Sequence, residues 1–115
     1  MSNSELREVE PKTHSVYVVE LSDDVLKHKR FCKENPDRDD GKACLYVGMT
    51  SRTPEERLQQ HLSGYKACSY VKRYGKCLCR RLYEKFNPLT RNDAAKLERR
   101  LARRLRKTGY AVWQK

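Results

Sequence analysis

Apolar positions along the chain fall into short period-two runs and longer period-3.6 runs, separated by polar turn residues. Residues 15–21 (SVYVVEL) are dense in β-branched and aromatic side chains and predict a strand. Ser22-Asp23-Asp24 predicts a cap for a short helix through Arg30, and residues 34–42 (ENPDRDDGK) carry Asn-Pro and Asp-Gly turn signals. Residues 44–48 form a second short strand ended by Gly48. Thr53-Pro54-Glu55-Glu56 is a capping box with proline at the first helical position, so a helix is expected from Thr53 to about Leu62, stopped by Ser63-Gly64. Residues 66–74 predict a short basic helix ending at Gly75, and residues 77–83 a third strand. Asn87-Pro88-Leu89 is a break. Thr90 or Asn92 then caps a long helix that ends near Thr108, with Gly109 after it. Residues 110–113 predict a closing strand or packed tail. Residues 1–13 are polar and read as a frayed arm, which leaves residues 14–115 as one domain with an insertion at 22–42. The fold class expected is α/β, of the α+β kind: a small mixed, mainly antiparallel sheet of about three strands flanked by helices.

Charge changes the picture more than composition does. The net charge is +11, but it is unevenly spread. Residues 1–42 hold 8 Lys/Arg against 10 Asp/Glu, whereas residues 43–115 hold 18 against 5. The excess basicity begins at the second strand, which points to a polyanionic partner, nucleic acid being the commonest. Tyr65, Tyr70 and Tyr74 are interleaved with Lys66, Lys72 and Arg73, and Arg80 and Arg81 follow. Such a stretch suits gripping a backbone and stacking on unpaired bases, although near-helical spacing also suits core packing.

Five cysteines with no paired spacing argue against a disulfide scaffold. His28, Cys32, Cys68, Cys77 and Cys79 admit a zinc-stabilised alternative, which lacks regular CxxC pairs. No apolar run approaches the ~20 residues of a membrane span, and a cytoplasmic location is expected.

Two positions carry candidate chemistry. Arg57 and His61 are four apart and project side by side from the helix after the second strand. On the long helix, Ala94, Leu97, Leu101 and Leu105 form one apolar stripe, and Glu98 lies at its edge rather than among the arginines. A carboxylate facing the protein body needs a partner. Its neighbours three and four residues away are not basic, so the partner must be a metal ion or a distant arginine such as Arg57.

Taken in order, these features resemble the GIY-YIG nuclease domain. Ser15-Val16-Tyr17 looks like its first motif and Tyr46-Val47-Gly48 like its second, while Arg57, His61 and Glu98 match the catalytic arginine, a histidine one turn later and the metal-binding glutamate. The resemblance implies DNA cleavage with one divalent cation, Mg²⁺ with Mn²⁺ as a substitute, held by Glu98. Arg57 would stabilise phosphate charge, Tyr17 or Tyr46 would orient or deprotonate the attacking water, and His61 would act as base or hold the phosphate. Lys66, Lys72, Arg73, Arg80 and Arg81 are the expected nucleic-acid contacts. Target choice would come from the insertion, from that basic stretch, from a protein partner or from a second copy. Ser15 replaces a glycine, Met49 stands where some members carry lysine, and Gln114 stands near the place of a usual asparagine. Those departures sustain a second reading, the same scaffold acting without catalysis as a nucleic-acid-binding module in a larger complex.

Overall fold

The computed structural model describes residues 10–114. Residues 1–9 of the expected arm, and Lys115, lie outside the described residues. Four strands form one sheet: β1 (Ser15–Leu21), β2 (Cys44–Thr50), β3 (Gly75–Leu78) and β4 (Ala111–Gln114), in the spatial order β3-β1-β2-β4. β1 pairs antiparallel with β2 and β3, and β4 runs parallel to β2. Val16, Tyr17, Val18 and Val19 are each no more than 1% exposed. Successive strand residues face opposite sides, so both faces of β1 are covered.

Four helices flank this sheet: α1 (Lys29–Lys33), α2 (Pro54–Ser63), α3 (Ser69–Tyr74) and α4 (Arg91–Lys107). The capping box acts as the sequence predicts. Thr53 Oγ1 accepts from the Glu56 N–H at 3.1 Å, and Gly64 ends α2 in the left-handed region at φ 90°. Thr90 caps α4 in the same way through the Asp93 N–H, and Gly109 (φ 100°) turns the chain into β4. Ala94, Leu101, Ala102 and Leu105 are the buried side of α4, which packs on β4, β2 and β1.

Three expectations need correction. The third strand is Gly75–Leu78, not residues 77–83; short 3-10 turns at Arg80–Leu82 and Glu84–Phe86 follow it. The reason lies on the edge of β1. Beyond the bond from the Cys79 N–H to the Val18 carbonyl, the Asn87 side chain takes over, accepting from the Val16 N–H and donating to the Val16 carbonyl. A side-chain amide thus replaces the next strand residue, and the chain is released into turns. The basic helix is also shorter than residues 66–74, since Lys66 is in the left-handed region and α3 begins at Ser69. Third, the sheet has four strands where about three were expected, because the closing segment takes the strand form of the two expected for it.

Residues 22–42 pack against the sheet edge. Phe31 of α1 is fully buried and stacks on Trp113, and Tyr70 meets both rings edge-on. Asn35, 3% exposed, donates to the Phe31 and Val112 carbonyls and accepts from the Val112 N–H. Arg106 adds a bond to the Val112 carbonyl. The outer edge of β4 is therefore closed by side chains, which satisfies backbone groups that an open edge leaves exposed.

Candidate active site

β1 and β2 place two tyrosines on one sheet face. The register pairs Tyr17 with Gly48 and Val19 with Tyr46, so both phenols sit beside a position without a side chain. A Cβ on Gly48 would lie 2.6 Å from the Tyr17 hydroxyl and 2.9 Å from the Tyr46 ring. Glycine here is required by close approach.

α2 brings His61 onto the same group. Its Nε2 lies 2.7 Å from the Tyr17 hydroxyl, and its ring meets Tyr46 edge-on with centroids 5.5 Å apart. The backbone N–H of Cys68 donates to His61 Nδ1 at 3.0 Å. That bond fixes the tautomer. With Nδ1 accepting, a neutral imidazole carries its proton on Nε2 and donates to the Tyr17 oxygen. Burial, reinforced by the Arg57 charge, lowers the His61 pKa to about 4, so the ring is neutral at physiological pH. Both nitrogens are committed in this arrangement, with Nδ1 accepting and Nε2 donating.

Arg57 stands one turn before His61 and is half-buried. It donates to Gln60 Oε1 (3.2 Å), to the Tyr65 carbonyl (3.2 Å) and to the Lys66 carbonyl (2.8 Å). The left-handed backbone of Lys66 (φ 44°), uncommon outside glycine, belongs to the turn that supplies these carbonyls. Among the described residues Arg57 has no acidic partner, so its charge acts on the phenols. Burial raises the Tyr17 pKa far above its ordinary value, with Tyr46 adding to the rise and Arg57 opposing it. Tyr46 is pushed up to about 12, by burial first and then by Cys68, while Tyr17 and Arg57 pull it back.

Glu98 is half-buried on α4. Gln114 of β4 donates to its Oε1 at 2.7 Å. The partner is thus neither Arg57 nor any other arginine, because the parallel pairing of β4 with β2 sets Gln114 beside Val47 and over α4. Burial raises the Glu98 pKa, against the Gln114 hydrogen bond and the Arg99 charge. The second oxygen has no hydrogen bond among the described residues. A hard carboxylate oxygen with unmet charge fits a divalent cation completed by water and phosphate. No group of three or more His, Cys, Asp or Glu side chains is assembled among the described residues. The zinc alternative through Cys32, Cys68, Cys77 and Cys79 is not built: Cys32 donates to the Leu26 carbonyl and Cys77 is exposed.

The profile of a family described as GIY-YIG catalytic domain matches residues 27–111. The chain belongs to the GIY-YIG family. The matched span takes in Tyr46, Arg57, His61 and Glu98; Tyr17 lies before it and Gln114 after it. No match was found among curated proteins or among solved structures. GIY-YIG domains form a nuclease superfamily, generally metal-dependent, so a nucleic-acid substrate follows from membership. Among the described residues no helix is long and apolar enough to cross a membrane.

Sequence reasoning missed four contributors to this site. They are the Cys68 N–H, the Tyr65 and Lys66 carbonyls, and Gln114 as the partner of Glu98. Backbone groups leave no compositional trace; for Cys68 the only available signal was its place just before α3. The five expected nucleic-acid contacts are all exposed, and three are already engaged: Arg80 pairs with Glu55 at 3.2 Å, Arg73 lies over the Tyr74 ring and Lys66 over the Tyr65 ring. Of the interleaved tyrosines, Tyr65 is exposed whereas Tyr70 and Tyr74 pack with His28.

Proposed function

We propose that the chain is an endonuclease that hydrolyses DNA phosphodiester bonds with one divalent cation, magnesium being preferred, at the group formed by Tyr17, Tyr46, Arg57, His61 and Glu98. The observation that carries this reading is the directed chain of donors, Cys68 N–H to His61, then His61 Nε2–H to the Tyr17 oxygen, beside an arginine without an acidic partner. A merely structural tyrosine core does not require an unneutralised guanidinium at its side.

The roles follow from proton direction. With its oxygen accepting from His61, Tyr17 directs its own proton outward, and its interaction with Tyr46 lowers the Tyr46 pKa while raising its own. Tyr46 is the more acidic and the less deeply buried phenol, 6% exposed against 1%. Once its own phenolic proton has been lost to solvent, the Tyr46 phenolate takes the proton of the attacking water, and Tyr17 orients that water. Arg57 forks onto the non-bridging phosphate oxygens as charge develops. Glu98, held by Gln114, would hold the divalent cation, which when bound would supply positive charge against the phosphate and favour ionisation of water and phenol.

The test is a nicking assay on supercoiled plasmid and on branched oligonucleotides with Mg²⁺ or Mn²⁺, comparing wild type with Glu98→Gln, Arg57→Ala and Tyr46→Phe. Metal-dependent cleavage lost in all three is the expected result. Absence of cleavage on every substrate, in a folded preparation that still binds DNA, would favour the non-catalytic binding module.

A further inference from the structure

The outer side of α4 carries four cations that the active site does not use. At about 100° per residue, Arg100, Arg103, Arg104 and Lys107 centre roughly opposite Glu98 on the helix circumference. All four are exposed, while Leu101, Ala102 and Leu105 turn inward. Arg100, Arg103, Arg104 and Lys107 line one shallow depression of about 310 Å³. Among the described residues none of the four has an ion pair or a side-chain hydrogen bond. By contrast Arg38, Arg52 and Arg80 each have an acid within 4 Å. The nearest acid on that side of the helix, Asp93, lies two turns before Arg100.

Four neighbouring like charges repel one another and cost stability. A counter-charge from outside the molecule relieves that cost. Arg100 to Lys107 spans about 10 Å of helix, the rise of about three base pairs of duplex. The guanidinium forks suit phosphate oxygens, and contacts to phosphate carry no base preference.

We propose that this face of α4 is a second nucleic-acid surface, which binds the phosphate backbone of DNA at a distance from the scissile bond. It rests on the nucleic-acid reading of the family, and it adds a place where a second arm of a branched or bent substrate is held. A straight duplex seated at Glu98 does not reach the opposite side of the same helix. The inferred surface is separate from the basic stretch at Lys66, Lys72 and Arg73, and its contacts are independent of sequence.

The test uses the full chain without metal, so that binding is read apart from cleavage. Fluorescence anisotropy with a labelled four-way DNA junction is followed from about 50 to 200 mM salt, for wild type and for a triple variant (Arg100→Gln, Arg103→Gln, Arg104→Gln). Each phosphate that the protein no longer neutralises lowers the salt slope by about 1. The triple variant is therefore expected to drop by about 3 in slope and at least about tenfold in affinity. Single Arg103→Gln, checked by circular dichroism, serves if the triple variant does not fold, with an expected drop of about 1 in slope. Affinity and slope unchanged in the folded variants would overturn the proposal. So would unchanged DNA binding together with lost binding to phosphatidylglycerol vesicles, which would assign the face to a membrane surface. DNA binding that depends on these arginines in a protein without cleavage would sink the nuclease reading and leave this surface standing.

Discussion

Tyr17 and His61 are joined by a 2.7 Å hydrogen bond between β1 and α2, and the donor is His61. The direction is set from outside the pair, by the Cys68 N–H on Nδ1. A histidine so bound cannot take a proton at Nδ1 without depriving the half-buried Cys68 N–H of its acceptor.

The pH dependence follows. His61 has a folded pKa of about 4, against about 6.5 in the unfolded chain. The unfolded state binds the proton more readily, so stability is full above about pH 6.5 and is lost as pH falls towards 4. The loss attributable to His61 is at most about 3 kcal/mol. His61→Gln keeps a donor but does not titrate. Urea unfolding at pH 7.5, 6, 5 and 4.5 should show a variant less stable than wild type at the upper end, with the gap closing as pH falls. A gap that stays constant would remove His61 from the acid response.

Gly48→Ala tests the close approach of the tyrosines. The added methyl meets the Tyr17 hydroxyl at 2.6 Å and ring carbons of Tyr17 and Tyr46 at 2.7 and 2.9 Å. Both rings are buried and cannot swing clear without moving β1 or α2. Overpacking of this kind costs about 1–3 kcal/mol, and displacement of the reacting groups by an ångström costs roughly 100-fold in rate. Thermal unfolding and single-turnover cleavage measure the two. Wild-type cleavage in this variant would show that the tyrosine geometry does not matter to the reaction.

Much of the scaffold was legible. Thr53 and Thr90 as caps, and Gly64 and Gly109 as helix ends, are local signals whose mechanism lies within a few residues, and the structure follows each of them. The need of Glu98 for a partner was legible from helical geometry, but not the partner's identity. Gln114 reaches it only because β4 adds to the sheet parallel to β2, and a four-residue strand carries too little pattern to announce its pairing. The overlong third strand has a similar cause. Residues 77–83 have strand-like composition, yet the Asn87 side chain, just beyond that run, reaches Val16, 71 residues away in sequence, and takes the hydrogen bonds that would have continued the ladder.

Asn35 exemplifies the same non-local control, and its replacement has a defined consequence. Asn35→Ala removes an acceptor from the Val112 N–H and a donor from two carbonyls, all at buried positions. Each backbone group left unsatisfied costs about 1–3 kcal/mol. A total near 2–4 kcal/mol is expected in denaturant unfolding, with the loss expressed first at β4, where hydrogen exchange at Val112 should accelerate. Stability within about 0.5 kcal/mol of wild type would mean that water replaces the amide.

Glu98→Gln separates the charge from the shape of this side chain. The glutamine oxygen still accepts from Gln114, so the link between α4 and β4 persists. Burial raises the Glu98 pKa, which means that the ionised carboxylate is disfavoured in the folded state when no cation is bound. Without metal, the variant is therefore expected to be as stable as wild type at pH 7, or more so. Added Mg²⁺ should reverse the order, because a ligand that binds only the folded state raises the midpoint in proportion to its occupancy, and only the wild type has the carboxylate. Cleavage should fall by at least about 100-fold, the scale of losing the charge that stabilises a phosphoryl transition state. Differential scanning fluorimetry across a Mg²⁺ titration, run beside the nicking assay, reads both effects. Equal Mg²⁺ shifts in the two proteins would place the cation elsewhere, whatever the fate of the cleavage activity.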